Sequence, residues 1–402
     1  MLEIQAQDTA RISLDDVLQA VETYYPSILQ YQHSIDALNS KAEGAKAWMA
    51  PTFSTGIMRW PYSLSGPNDS NDPMRQAGIA FSVEQMIPNP TKLNARESYL
   101  NSLATVQESK REWSANELRR DAKKLYYNRY VAEKKRSVLI EGNEMLAVLL
   151  STAEEKFSNN QSTLQTIYKA KARVADLGNM QLMLEGIIAE SNIGLNVLMV
   201  REVDAPFKID TVLSPSNYLI GTADSDISKR SDVNALSNSI QSMKLEQRSM
   251  KFGARPDFGI RVEHMQMINM PNQWSVMGMI TIPIAPWSSK MYLSETRSMG
   301  SQIQAMERER QSMELMAKRN ISEKLTMLSF ETAQFKNLNQ KIIPSYQKNL
   351  EASLLAYRQN TGDFFELLDA WEMLVMRKLE VYDRLLKVLT LEAEYEYEKE
   401  IR

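Results

Sequence analysis

The sequence contains one pattern twice, about 200 residues apart. The segment from Phe157 to Ile167 aligns with the segment from Tyr357 to Leu367, with aromatic, Asn and apolar residues at matching positions. Upstream, Pro51 and Pro256 begin a second matching pair of segments at nearly the same spacing. A period this long is not a solenoid unit. It predicts a duplicated half-molecule, each half containing long helices and a short β-hairpin.

Helix breakers are scarce, because the 402 residues include only 14 glycines and 14 prolines. This favours long elements over a compact enzyme with many loops. The net charge of −3, with both signs spread along the chain, gives no basic patch for nucleic acid. The absence of cysteine excludes disulfides, thiolate zinc sites and a cysteine nucleophile.

No apolar run reaches the ~18 residues of a transmembrane helix. The strands of an outer-membrane barrel need only about 10 alternating residues each, so that location stays possible. The start of the chain lacks the basic and apolar stretches of a signal peptide, and we expect none there.

In the first half, Ser13 and Asp16 form a capping-box pattern, which predicts a helix to about Trp48 with a kink at Pro26. The hairpin 51–90 follows, because strand formers flank a turn-rich loop. Thr91 is then the predicted N-cap of a helix of roughly 100 Å that ends near Lys156. After a turn at 159–161, another helix covers about 163–200.

The second half repeats this order. Ser231 is the predicted cap of a helix to about Phe252, and the hairpin 256–286 follows, with strands at 257–268 and 274–284. A very long helix is predicted over 288–357 with a kink at Pro344, and a last helix over 363–399, whose apolar residues recur at threes and fours. The predicted organisation is a first repeat at 1–205, a connector at 206–226 and a second repeat at 227–402, with helix turns at 157–166 and 357–366.

Two hairpins of two strands are unstable alone and leave open edges. Inside a membrane a sheet must close, and four strands from one chain cannot close by themselves. Several chains that each contribute four strands could do so. The long helices have narrow apolar seams, which suits a cylinder of helices with water inside and outside.

The order and spacing of these segments resemble the TolC-like outer-membrane efflux channels, from about residue 13 to 398. The two turn segments match that family's aromatic, Gly and acid–apolar–apolar pattern, with Asn160 and Asn360 where the family usually has Gly. Asn is the next best residue for a left-handed turn. The two proline-closed hairpins match as well.

The resemblance implies a mainly α fold with a small β part. Three chains would form an α-helical barrel from long antiparallel helices, topped by a 12-stranded transmembrane β-barrel with four strands per chain. It also implies a homotrimer in the bacterial outer membrane, with the helical barrel in the periplasm. A periplasmic adaptor protein and an inner-membrane transporter would be its partners, and it would carry no cofactor.

The resemblance places a gated entrance at the two helix turns, formed by Phe157, Asn160, Tyr357, Asn360, Glu366 and Asp369. Glu366 and Asp369 correspond to acidic rings that favour cations; as an alternative, Asp363 and Glu366 cap the last helix. Tyr357 corresponds to an aromatic that holds the entrance shut, and its alternative is a residue of the helix seam. Gly362 stands where some members have a basic partner, and Arg358 is a possible substitute.

Aromatic residues border the predicted strands. They are read as an interface girdle, or else as packing at strand–helix junctions. They are Trp60, Tyr62, Trp274, Trp287 and Tyr292.

Methionine is abundant, with 24 residues. His264, Met265 and Met267 lie on one hairpin, and thioethers suit Cu(I). Met277 and Met279 lie on the same hairpin. The alternative is that these four methionines are apolar side chains that face lipid, so no metal site is assigned.

Three functions remain open from the sequence. They are the exit duct of a tripartite efflux system, the exit duct of a type I protein-secretion system, and a soluble coiled-coil scaffold. The proline-closed hairpins and their aromatic borders argue against the scaffold. An enzyme is the least expected class, because the two histidines are far apart and no phosphate-binding glycine loop or metal-ligand spacing occurs.

Overall fold

The computed structural model describes residues 11–60, 77–159, 162–209, 212–216, 218, 227–268, 270–283 and 285–401. The chain groups into two compact units, and each is described by itself below. The helical unit comprises Met1–Gln30, Arg111–Arg230 and Met313–Arg402, and the sheet unit comprises Tyr31–Lys110 and Ser231–Ser312. Each unit takes residues from both halves of the sequence. The repeat boundaries at 205 and 226 therefore stay a prediction.

Long helices dominate the described residues. The eight α-helices are α1 (Leu14–Tyr24), α2 (Pro26–Glu43), α3 (Pro90–Ser158), α4 (Leu164–Leu198), α5 (Ser231–Gly253), α6 (Pro286–Asn337), α7 (Ile343–Arg358) and α8 (Phe364–Lys399). The six strands are β1 (Arg11–Ile12), β2 (Thr52–Met58), β3 (Gly78–Ile87), β4 (Lys208–Ile209), β5 (Asp257–Met267) and β6 (Gln273–Thr281). Among these helices, none is both long enough and apolar enough to cross a membrane.

The predicted helix starts are partly confirmed. Ser13 and Asp16 form the predicted capping box, with the Ser13 Oγ accepting from the Asp16 N–H at 3.2 Å. Tyr25 then breaks the helix with extended backbone, because a residue before proline avoids helical angles. The second piece ends at Glu43 instead of the predicted Trp48.

Two other predicted caps are wrong by one or two positions. Asn89, not Thr91, caps α3: its Oδ1 accepts from the Thr91 N–H at 3.0 Å, while Pro90 takes the first helical position, where no N–H is needed. Ser231 is the first residue of α5, not its cap. Near Pro344 the chain stays helical and passes through a π-helical segment at Leu338–Ile342, directly before the residue that lacks an N–H donor.

One antiparallel sheet contains both predicted hairpins. Its strand order is β2-β3-β5-β6, and the central pair runs from Gly78 opposite Met267 to Ile87 opposite Phe258. At the end of the sheet where Ile87 pairs with Phe258, the Lys92 Nζ lies 2.6 Å from the Asp257 Oδ2. In the part of the chain that the structure describes, no strand pairs with the outer edges of β2 and β6. Both edges therefore carry backbone groups that are free to bond elsewhere.

The helical unit has two large clusters of buried apolar residues and a smaller one around Val388. The first packs α3, α4, α7 and α8 together and is represented by Leu146, Leu367 and Trp371. Gly142 of α3 makes this packing possible, because a Cβ there would lie 3.2 Å from the Val375 Cγ2. The second cluster includes Tyr126 and joins α1, α3, α4 and α8. In the sheet unit, by contrast, the small cluster of Ala42, Ala45 and Leu100 lies on the helices.

Candidate functional site

The second helix turn has the left-handed residue that the sequence predicts. Asn360 has φ 56°, which an Asn side chain tolerates better than most others. The Ala356 carbonyl accepts hydrogen bonds from the Thr361 N–H at 3.0 Å and the Gly362 N–H at 3.1 Å. A Cβ on Gly362 would lie 2.9 Å from the Ala356 Cβ, so glycine allows this close approach. The turn is thus specified locally by Asn360 and Gly362.

Tyr357 is buried at this turn. Its ring meets the Phe364 ring edge-on, with centroids 5.6 Å apart. Its hydroxyl is buried and has no hydrogen-bond partner among the residues that the structure describes. Burial, with the nearby Asp363 carboxylate as a second cause, raises the pKa of Tyr357. The aromatic body of Tyr357 therefore packs in the seam, and its hydroxyl is enclosed there without a described partner.

Lys156, near the end of α3, connects the first turn to the second. Its Nζ donates to the Asn360 Oδ1 at 2.7 Å and to the Tyr357 carbonyl at 3.1 Å. The same ammonium lies 3.9 Å from the centroid of the Tyr357 ring, a cation–π contact. A cation at the C-terminal end of α7 is also favoured by the helix dipole. Lys156 is therefore a basic residue in contact with Tyr357, whereas Arg358 is exposed and makes no such contact among the described residues.

Glu366 and Asp369 lie on the exposed side of α8, opposite its buried residues. Neither carboxylate has a hydrogen bond or ion pair with another described residue. The alternative role as a helix cap is not realised, because Asp363 occupies the N-cap position but its side chain makes no capping bond. Both carboxylates are thus available to solvent or to an ion.

Other charges near the turns are paired between helices. The Arg173 Nη2 lies 2.7 Å from the Glu372 Oε2, joining α4 to α8, and the Lys171 Nζ lies 3.2 Å from the Glu154 Oε1, joining α4 to α3. The Lys169 Nζ lies 4.6 Å from the Phe365 ring centroid. Glu366 and Asp369, by contrast, have no such partner among the described residues.

The first turn is described only in part. Phe157 is exposed at the end of α3, and the Thr163 and Thr166 hydroxyls are 3.0 Å apart at the start of α4. Asn160 lies outside the described residues, and so does Tyr62 of the predicted girdle. The entrance roles of Phe157 and Asn160 stay predictions.

The four-stranded sheet has two different faces. Strand alternation and register place twelve large apolar side chains on one face, and all of them except Ile87 are exposed. Thr55, Gln85, His264 and Gln266 share this face. The exposed apolar residues are Phe53, Ile57, Ile79, Phe81, Val83, Phe258, Ile260, Val262, Trp274, Val276 and Ile280.

The opposite face is polar. Ser54, Ser82, Glu263 and Ser275 form one row across the strands, and in another row Arg261 makes an ion pair with Glu84. Such a sheet suits an environment that is apolar on one side and aqueous on the other.

Three of the predicted girdle tryptophans are exposed at the ends of the sheet. Trp60 follows β2 and Trp274 begins β6, at the same end by register, while Trp287 follows β6 at the other end. Tyr292 differs, because it packs against Gly253 of α5, where a Cβ would lie 2.8 Å from its ring. Trp60, Trp274 and Trp287 are thus unpacked aromatics, and Tyr292 is a junction residue.

The three residues considered as soft-metal contacts do not come together. His264 lies on the apolar face, opposite Phe81 and Trp274, whereas Met265 and Met267 lie on the polar face. The alternation of a strand therefore prevents the three from sharing one ion. Both methionines lie on the face opposite the exposed apolar side chains, and the lipid-facing alternative stays a prediction. Among the described residues, no group of three or more His, Asp or Glu could hold a metal ion.

A buried carboxyl fastens the connector to α8. Glu392 is 3% exposed, and its Oε1 accepts from the Ser216 N–H at 2.6 Å. Burial raises the pKa of Glu392 to about 7, with nearby Glu396 raising it and Lys123 lowering it. The Tyr218 hydroxyl donates to Glu396 at 2.6 Å. No sequence pattern marks Glu392 as buried, because it lies among other acidic residues.

No family model matches the sequence, and a search of curated proteins finds no match. Solved structures do match over nearly the whole chain. The outer-membrane channel OprN is 11% identical, with a TM-score of 0.79 over 96% of this chain and 89% of that one. CusC, described by its transmembrane channel formation, is 12% identical, with a TM-score of 0.79 over 97% and 92%. The CmeC outer-membrane channel of Campylobacter jejuni is 11% identical, with a TM-score of 0.76 over 96% and 85%.

At these identities the likeness establishes the fold. The predicted TolC-like fold is confirmed: the chain is mainly helical, with long helices and a four-stranded antiparallel sheet, as in these channels.

Proposed function

We propose that this chain is one subunit of a homotrimeric channel in the bacterial outer membrane. It serves as the exit duct of a tripartite efflux system. Each chain contributes four strands to a closed 12-stranded barrel, and the long helices form a periplasmic barrel below it. The duct conducts substrate passively and performs no chemistry of its own.

One observation carries the proposal: the sheet exposes eleven large apolar side chains on one face and leaves both edge strands unpaired. A soluble scaffold gains nothing from such a face, which would be an aggregation site in water. Three copies that pair β2 of one chain with β6 of the next would satisfy both edges. The apolar face would then contact lipid and the polar face would line water.

The helix turns support a gated entrance. Lys156 holds the two turns of one chain together through Asn360 and Tyr357, while Glu366 and Asp369 keep free carboxylates on the exposed side of α8. Three copies of each carboxylate around a narrow bore would favour cations. A periplasmic adaptor and an inner-membrane transporter would dock at these turns and open the entrance.

The test is recording of single channels from detergent-purified protein in a planar bilayer, with native mass spectrometry of the same sample. The expected result is a mass of three chains and small, cation-selective currents. The double variant E366Q/D369N should lose much of the selectivity. E190Q/E351Q, which changes two exposed carboxylates elsewhere, should keep it.

A protein that stays monodisperse without detergent and never inserts would overturn the channel. If E366Q/D369N kept the cation selectivity of the wild type, the acidic rings would be refuted, but the channel itself would not.

A further inference from the structure

The methionines of the sheet are confined to one face. The four strands contain six methionines, and strand register places all six on the polar face and none on the apolar face. Every large apolar side chain on the polar face is a methionine, whereas the apolar face uses Phe, Ile, Val and Trp. The six are Met58, Met86, Met265, Met267, Met277 and Met279.

Contact with lipid does not account for this separation, because any large apolar residue serves there and the apolar face has no methionine. Filling of gaps is also a weak reason, because five of the six are only half-buried or exposed and Met267 alone is buried. The property that distinguishes methionine from Leu, Ile and Val is its polarizable thioether sulfur.

Two of these side chains meet at one point. The Met86 Sδ lies 2.7 Å, and the Met279 Cε 3.1 Å, from the position that a Cβ on Gly259 would occupy. Gly259 therefore leaves the space in which the ends of both side chains come together. Met277 lies two residues from Met279 on the same face of β6 and supplies a further thioether.

The surrounding charges tolerate a cation. Arg261 is neutralised by its ion pair with Glu84, and Glu263 adds a negative charge on the same face without a described partner. Thioethers are soft ligands that select Cu(I) and the similar Ag(I) over Zn(II) or Mg(II). We propose that Met86 and Met279, with Met277 nearby, form a binding site for a soft monovalent metal ion on the polar face of the sheet.

Binding itself is independent of the channel. A role of the site in conducting such ions rests on the proposed function, since only then does this face line the duct.

The test is NMR of detergent-purified protein carrying 13C-labelled methionine methyl groups, titrated with silver nitrate in chloride-free buffer. The Met86 and Met279 signals should shift saturably with Ag(I) and not with Zn(II). The exposed helix methionines Met291 and Met316 provide the reference signals. Binding in detergent does not need conduction, so a failed bilayer recording and a failed titration are separate results.

Two variants sharpen the test. M86L/M279L keeps the side-chain volume but removes both sulfurs, and it should weaken Ag(I) binding by about tenfold or more. G259A keeps both sulfurs but its Cβ would push them apart, so it should also weaken binding. G56A lies on the same face with open space around it and should bind as the wild type does.

Met86 and Met279 signals that move no more than those of Met291 and Met316 would overturn the proposal. Unchanged affinity in M86L/M279L would do the same.

Discussion

The helical unit and the sheet unit treat their apolar residues in opposite ways. On α3, α4, α7 and α8 the large apolar side chains pack against one another, and Leu146 and Leu367 are fully buried. On the four-stranded sheet they are exposed, and Phe53 is 76% accessible. The helical unit thus completes its core within one chain. The sheet needs an apolar environment to cover its apolar face and further strands to pair with its two edges.

The difference shows which structural features a single chain determines by itself. The apolar residues spaced three and four positions apart on the helices pack against helices of the same chain. The stability of this packing is therefore a property of the single chain. An alternating strand specifies two faces but not what covers them. The following predictions test this contrast, beginning with the largest expected effect.

Truncation of a large apolar side chain should destabilise the helical unit much more than the sheet unit. L367A should lower the free energy of unfolding in detergent by about 2–5 kcal/mol, because it leaves a cavity among packed helices. F53A removes a larger side chain from the exposed sheet face and should cost far less there. Chemical denaturation followed by circular dichroism measures both. An F53A loss equal to that of L367A would show that the sheet has a packed partner in detergent.

A lysine placed on the apolar face of the sheet should impair insertion into lipid, whereas a lysine on the polar face should not. V276K places an ammonium on the apolar face and should cost roughly 2–4 kcal/mol of insertion into lipid, provided that this face meets the bilayer core. S275K is its neighbour on the polar face and should insert as the wild type does. The measurement is the fraction that folds into lipid vesicles and resists protease. Equal insertion of both variants would contradict the assignment of faces.

The contacts of Lys156 with Asn360 and Tyr357 should stabilise the helical unit. K156M retains the aliphatic chain but removes two hydrogen bonds and the cation–π contact, and we expect a loss of about 2 kcal/mol. Y357F is the informative control, because the Tyr357 hydroxyl has no described partner, so its removal should be neutral or slightly stabilising. Thermal unfolding measures both. A strongly destabilised Y357F would contradict this, since it would show that the hydroxyl makes a stabilising contact.

The fold could be predicted from the sequence to a large extent, and the site less so. Repetition, scarce breakers and strand alternation located both hairpins and all the long helices, because these signals are local. The left-handed conformation of Asn360 is predicted correctly for the same reason, whereas its role at an entrance stays a prediction. Lys156 was missed, because its contact joins residues about 200 positions apart. Its position directly before the first turn was the available signal.

The placement of the methionines was missed for a related reason. Alternation shows that Met265 and Met267 share a face, but only the pairing with β3 and β6 shows which residues lie beside them. The burial of Glu392 depends in the same way on the connector that crosses it. A single sequence does not show which residues of different helices and strands contact one another.

The smallest expected effect is a pH dependence that belongs to the helical unit alone. The folded pKa of Glu392 is about 7, above its ordinary value, so between about pH 4.5 and pH 7 the folded chain holds a proton that the unfolded chain has lost. Stability contributed by Glu392 is therefore present at low pH and falls as the pH rises through that window.

E392Q imitates the protonated form and keeps an oxygen for the Ser216 N–H. It should raise stability at pH 8 by about 1 kcal/mol and change little at pH 5, the gain being limited by the amide N–H groups that it buries. E394Q is the matched opposite: Glu394 forms ion pairs with Lys124 and Lys324, so its loss should destabilise the protein at pH 8. Urea unfolding at both pH values decides the matter. Equal effects of E392Q at pH 5 and pH 8 would mean that Glu392 does not change its protonation between these pH values in the folded protein.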